Sequence, residues 1–85
     1  GVNVHVHDPV ADAAEARHEY DVQLQTWNEL PCADAVVVAV AHREFLQRPL
    51  GDFAAKLCAN GLFVDVKSQF APDAIRALGL RVWRL

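Results

Sequence analysis

Ala35-Val36-Val37-Val38-Ala39-Val40 is an unbroken apolar run in which four of the six residues are β-branched. Such residues favour extended backbone, and the run is far shorter than the roughly 18 apolar residues of a membrane helix. Strands of parallel sheets are covered on both faces, so they read as continuous apolar runs rather than as alternations. The run therefore predicts a strand over residues 35–40, buried on both faces, in an α/β domain.

Working outward, Leu62-Phe-Val-Asp-Val66 predicts a second firm strand, preceded by a turn at Asn60-Gly61. Between these two strands, Arg43–Gln47 and Leu50–Cys58 have helical spacing, interrupted around Pro49 and Gly51. Beyond residue 66, Pro72–Leu78 predicts a helix that closes at Gly79, and Leu80–Leu85 a last strand. Toward the amino end, Val2, Val4 and Val6 alternate with Asn3, His5 and His7, a period of two that predicts a strand ended by Asp8-Pro9. Asp12 and Glu15 have capping-box spacing for a helix over Ala13–Tyr20. Val22–Gln25 predicts a short strand, and Trp27–Leu30 a helical turn stopped by Pro31. Strands alternating with helices imply right-handed crossovers and a parallel sheet.

Composition excludes several classes. The 85 residues allow one small domain, and 53% hydrophobic against 22% charged residues is too apolar for disorder. A net charge of −3 argues against a nucleic-acid binder, which carries a basic surplus. No apolar stretch suits a membrane span or a signal peptide, so a cytoplasmic protein is expected. Cys32 and Cys58 lie outside any Cys-x-x-Cys pattern and are expected as buried free thiols.

In open α/β sheets, ligands bind beyond the carboxyl ends of the strands. Asp8, His42 and Lys67 fall there, with Asp65 just inside its strand. Asp8 before Pro9 suits a turn or cap more often than a ligand, and His42 suits a helix start as well as a site. Asp65 in an apolar strand is costly unless paired, and Lys67 is one candidate partner. Lys67 at a strand end can meet a phosphate, or can simply be solvated. His5 and His7 share a strand face, but the sequence places no third ligand, so no metal is expected. There is no Gly-x-Gly-x-x-Gly, no P-loop and no Gly-x-Ser-x-Gly, and neither cysteine has a nucleophile context, so no catalytic residue can be named.

Three stretches together carry a resemblance: Val4-His-Val-His-Asp-Pro9, Ala33-Asp-Ala-Val-Val-Val-Ala-Val-Ala-His-Arg-Glu-Phe45, and Asp65-Val-Lys67 with the closing Gly79-Leu-Arg-Val-Trp-Arg-Leu85. In this order and spacing the chain resembles the C-terminal domain of the UDP-glucose/GDP-mannose dehydrogenase family over nearly its whole length. The Ala-His-x-Glu-Phe and Asp-Val-Lys stretches look more like the UDP-N-acetylhexosamine 6-dehydrogenases than the UDP-glucose enzymes.

The resemblance implies a Rossmann-like parallel sheet with flanking helices. It also implies a role in holding the UDP end of a nucleotide sugar, with Lys67 as a basic substrate contact and Asp65 as its support. Family members oxidise the sugar C6 alcohol to a carboxylate in two NAD-dependent steps through a cysteine-bound thiohemiacetal, and the products feed capsule and other surface polysaccharides. NAD and the catalytic cysteine belong to other parts of those enzymes, so Cys32 and Cys58 are not given that role. The family's domain opens with a Phe-Lys strand and a helix upstream of Gly1. Residues 1–85 are accordingly expected to be a partial C-terminal nucleotide-sugar-binding domain, inactive alone, with strand edges that could pair in a homodimer. The competing reading is a free-standing α/β interaction module of the receiver kind, for which Asp8 and Asp65 supply a thin acidic cluster.

Overall fold

The computed structural model describes residues 2–11, 13–20 and 23–85, in two compact segments that divide after Pro31. The second segment, from Cys32, carries a three-stranded parallel sheet of order β1-β2-β3. Its strands are β1 (Ala33–Val38), β2 (Leu57–Asp65) and β3 (Arg81–Arg84). Flanking helices accompany the sheet, so the α/β Rossmann-like architecture expected from the sequence is present.

The first segment holds helix α1 (Ala13–Tyr20), as the spacing predicted. The two strands expected there come down to one parallel bridge, Val6 to Leu24, with the Gln25 amide donating to the Val6 carbonyl at 2.8 Å. Val2 and Val4 are exposed, so little apolar burial is available to extend the ladder. The Asp12 cap and the start of the Val22 strand lie outside the described residues. Trp27–Glu29 forms a 3-10 turn with a complete capping box. The Glu29 amide donates to the Thr26 hydroxyl and the Thr26 amide donates to Glu29 Oε1.

In the second segment, helices α2 (Arg43–Gln47) and α3 (Leu50–Ala54) connect β1 to β2, and α4 (Pro72–Arg76) connects β2 to β3. Arg48 is extended because it precedes Pro49, which separates α2 from α3. Gly79, at φ 79°, ends the turn after α4 in the left-handed conformation anticipated for it.

Because the sheet order runs in one direction, two right-handed crossovers place their helices on the same face. That face holds the core. Phe53 of α3 meets Phe63 of β2 edge-on at 5.4 Å, and Phe70 completes a triad at 5.2 Å from Phe63 and 5.7 Å from Phe53. Ile75, Leu80, Leu57 and Val38 are buried as well. Each such side chain contributes about 1.5–3 kcal/mol by leaving water.

On the opposite face, the register sets Val37, Val64 and Trp83 side by side. Val37 is 60% exposed and Trp83 53% exposed. The expectation that the valine run is covered on both faces is thus corrected. In this segment the helices cover one face, and only Val38 of β1 is buried.

Two boundaries also differ. β1 ends at Val38 rather than residue 40, because Val38 opposite Asp65 is the last paired position. β2 starts at Leu57, so Cys58 is in a strand and not at the end of a helix. Both Cys58 and Cys32 are exposed, against the expectation of burial: each falls in an outward position, although the Cys32 thiol still reaches the Ala55 carbonyl.

The Asn60-Gly61 signal belongs to a bulge inside β2. Ala33 pairs with Leu57 and Ala35 with Leu62, so β2 spends five steps against two of β1. Asn60 sits at φ 60°, a left-handed conformation that asparagine tolerates, and its carbonyl accepts from Arg81 Nε at 2.9 Å. Gly61 is buried there. A Cβ on it would stand 2.8 Å from the Cys58 carbonyl oxygen and 2.9 Å from Leu57 Cβ.

Candidate functional site

β2 runs straight from the buried Phe63 to Asp65 and then leaves the sheet. The departing loop is fixed at several points. The Val66 amide donates to the Val38 carbonyl at 3.1 Å, closing the ladder with β1. The Ser68 amide donates to the Asp65 carbonyl at 3.3 Å, making a tight turn through Val66 and Lys67. Ser68 has φ 52°, a costly conformation for a residue with a Cβ, and its hydroxyl donates to the Leu85 carbonyl beyond β3.

Asp65 is the one buried charged residue in the described chain, 1% exposed. Its Oδ2 accepts from the Phe70 amide at 2.8 Å. Its Oδ1 is buried with no hydrogen-bond partner among the described residues. The suggested pairing with Lys67 is not made: the carboxylate turns into the core and ties down the far end of its own loop. A buried carboxylate accepting a backbone N–H fixes that backbone firmly, since breaking the bond would orphan both groups. The aromatic triad holds Phe70 from the other side.

The loop therefore has a rigid base, and Lys67 lies exposed at its tip. The Lys67 carbonyl accepts from Gln69 Nε2 at 3.0 Å. Sequence reasoning placed Asp65 and Lys67 at a strand end, and the structure has Asp65 at the last position of β2 and Lys67 in the turn that follows. It missed Ser68, whose left-handed backbone has no signature in a serine.

The other candidates take supporting parts. His42 stands at the start of α2, where its carbonyl receives the Phe45 and Leu46 amides at 3.0 and 3.2 Å. Its ring lies 5.6 Å from the Phe45 ring. In the first segment, Asp8 Oδ1 accepts from the Val10 and Ala11 amides at 2.9 and 3.1 Å, the turn role that its place before Pro9 suggested. His5 Nδ1 and His7 Nδ1 each lie 2.8 Å from Gln25, from its side-chain Oε1 and its carbonyl oxygen respectively. No cluster of three or more His, Cys, Asp or Glu side chains suited to a metal occurs among the described residues. No helix among them is long and apolar enough to cross a membrane.

A lysine on a rigid loop at the carboxyl edge of a parallel sheet is a natural anion contact. Residues 1–72 match the UDP binding domain of the UDP-glucose/GDP-mannose dehydrogenase family. The chain belongs to that family. A relative in Staphylococcus aureus, Protein CapL, is 31% identical over 85 residues, covering 100% of this chain and 20% of CapL. The chain thus spans about a fifth of the length of the curated relative it matches.

Dehydrogenases of this kind imply a dinucleotide, and the residues here do not fit one. The four glycines, Gly1, Gly51, Gly61 and Gly79, are too widely spaced for the Gly-x-Gly-x-x-Gly turn that lets backbone approach a pyrophosphate. What a UDP binding domain needs is narrower, an anion contact held in place, and Lys67 on the loop at 65–70 is the candidate for it.

Proposed function

We propose that this chain forms part of the nucleotide-sugar-binding domain of an NAD-dependent UDP-sugar 6-dehydrogenase, with Lys67 as a contact to the substrate's phosphates and Asp65 as the residue that positions its loop. The observation that carries the reading is the match to the family's UDP binding domain across residues 1–72, ending just past that loop. The dinucleotide and the cysteine that forms the covalent intermediate belong, on this reading, to other parts of the polypeptide, and the 85 residues alone do not turn over substrate.

The Ala41-His-Arg-Glu-Phe45 and Asp65-Val-Lys67 stretches support a UDP-N-acetylhexosamine over UDP-glucose as the sugar. The setting is cytoplasmic synthesis of precursors for surface polysaccharide. The receiver-like alternative requires an aspartate open to a phosphodonor, and the burial of Asp65 at 1% exposure tells against it.

The test is NADH formation by the intact polypeptide carrying this chain, with UDP-N-acetylglucosamine, UDP-N-acetylgalactosamine and UDP-glucose as substrates. Turnover of an acetamido sugar, with a KM raised about tenfold by Lys67→Ala, is the expected result. An intact polypeptide that neither binds UDP nor reduces NAD with any of the three would overturn the reading.

A further inference from the structure

The loop that carries Lys67 is tied to the end of β3 by the Ser68 hydroxyl, which donates to the Leu85 carbonyl. Lys67 and Arg84 therefore sit one residue to either side of a shared hydrogen bond. The sheet register agrees, since Arg84 is the cross-strand partner of Asp65, two residues before Lys67. Both cationic side chains are exposed, and neither is paired with a carboxylate among the described residues.

Three other cations in this segment are spent on the fold. Arg48 pairs with Asp52 at 3.3 Å, Arg76 with Asp73 at 3.1 Å, and Arg81 holds the Asn60 carbonyl. The obvious structural use of Arg84 would be to pair with the Asp65 carboxylate beside it. The structure does not make that pair: Asp65 Oδ2 takes the Phe70 amide, and Oδ1 has no partner among the described residues. In a chain of net charge −3, two uncommitted cations at the carboxyl edge of a parallel sheet form a local reversal of sign.

We propose that Arg84 is a second anion contact, and that with Lys67 it clamps the diphosphate of a nucleoside diphosphate group. A guanidinium presents a planar fork of donors that matches two phosphate oxygens, while an ammonium acts as a point charge. The pair thus suits two linked phosphates better than one. Ser68, in its left-handed conformation, joins the loop to the end of β3 through its hydroxyl, which sets the backbone of Lys67 beside that of Arg84. The proposal rests on the reading of the chain as a UDP-binding domain and adds a residue to it.

Calorimetric titration of the intact polypeptide with UDP and with UMP tests it, using wild type, Lys67→Ala, Arg84→Ala and Arg84→Lys. Arg84→Ala is expected to weaken UDP about tenfold and UMP by less, with the melting temperature unchanged because the side chain is exposed. Arg84→Lys is expected to recover part of the loss, and added salt to narrow the gap between wild type and variant. UDP affinity untouched by Arg84→Ala, while Lys67→Ala weakens it, would remove Arg84 and leave the domain reading standing. Equal losses for UDP and UMP would overturn the diphosphate assignment. Failure of the wild type to bind UDP would overturn the domain reading and the clamp together.

Discussion

Up to Pro31, no described side chain is buried; from Cys32 onward, eight apolar side chains and one carboxylate are. The first segment is held by polar links at its surface: the Asp8 turn, the two histidines on Gln25, and the reciprocal bonds of Thr26 and Glu29. The second is held by an aromatic triad under a parallel ladder. Exposed hydrogen bonds trade protein partners for water at small net gain, whereas burial of a phenylalanine ring removes a large apolar area from water. The second segment therefore has the rigidity that a binding loop needs, and the candidate loop grows from its best-packed strand.

Three experiments would break or sharpen that contrast. The largest effect is expected for Phe63→Ala, which empties the centre of the triad; by the usual cost of such truncations it should remove about 3–5 kcal/mol. Denaturant unfolding measures it, and a loss near that of a surface substitution would show that the aromatic triad is not the core of the second segment. Next is Asp65→Ala, which deprives the Phe70 amide of its acceptor at a cost of about 1–3 kcal/mol. Hydrogen exchange at the Phe70 amide should accelerate while the Phe63 amide stays protected. Equal acceleration at both would mean that Asp65 supports the whole strand and not the loop alone.

The smallest effect lies in the first segment. The Thr26 amide, and then the Thr26 hydroxyl hydrogen bond, hold the Glu29 carboxyl below the usual glutamate range. A lowered folded-state value means that this cap stabilises at pH above the unfolded glutamate value and fades as pH falls through the folded one. Carboxyl titration by NMR should find Glu29 protonating below the ordinary glutamate range. The 3-10 turn should loosen there with no change in the second segment. Coincident loss of both segments would contradict their separateness.

Legibility in the sequence did not follow that divide, and the second segment held both the clearest readings and most of the misses. The valine run, the Leu62–Val66 strand, the helix after Pro72 and the stop at Gly79 were all readable, because periodicity and backbone chemistry specify them locally. The start of β2 was not, because Leu57-Cys-Ala-Asn-Gly breaks alternation and the helical spacing of Leu50–Ala54 runs into it without a stop. Cysteine is usually a buried residue type, and that general preference misplaced Cys32 and Cys58. Asp65 was legible as a charge in need of a partner, yet its partner is the Phe70 backbone amide, which every residue type but proline could supply. Thr26-Trp-Asn-Glu29 carried a capping-box signature in plain view that the helical-turn prediction did not use.

The bulge in β2 has a consequence for how such a domain can vary. Side chains along a strand alternate with a period of two, so one residue gained or lost within the paired stretch Leu62–Asp65 would turn Phe63 and Asp65 out of the core. Cys58, Ala59 and Asn60 are exposed, and they lie where the ladder with β1 has already let go. That loop is slack. A length change taken up within the bulge, between the Leu57 and Leu62 pairings, would leave the phase of everything downstream, through to the tip that carries Lys67, as it was.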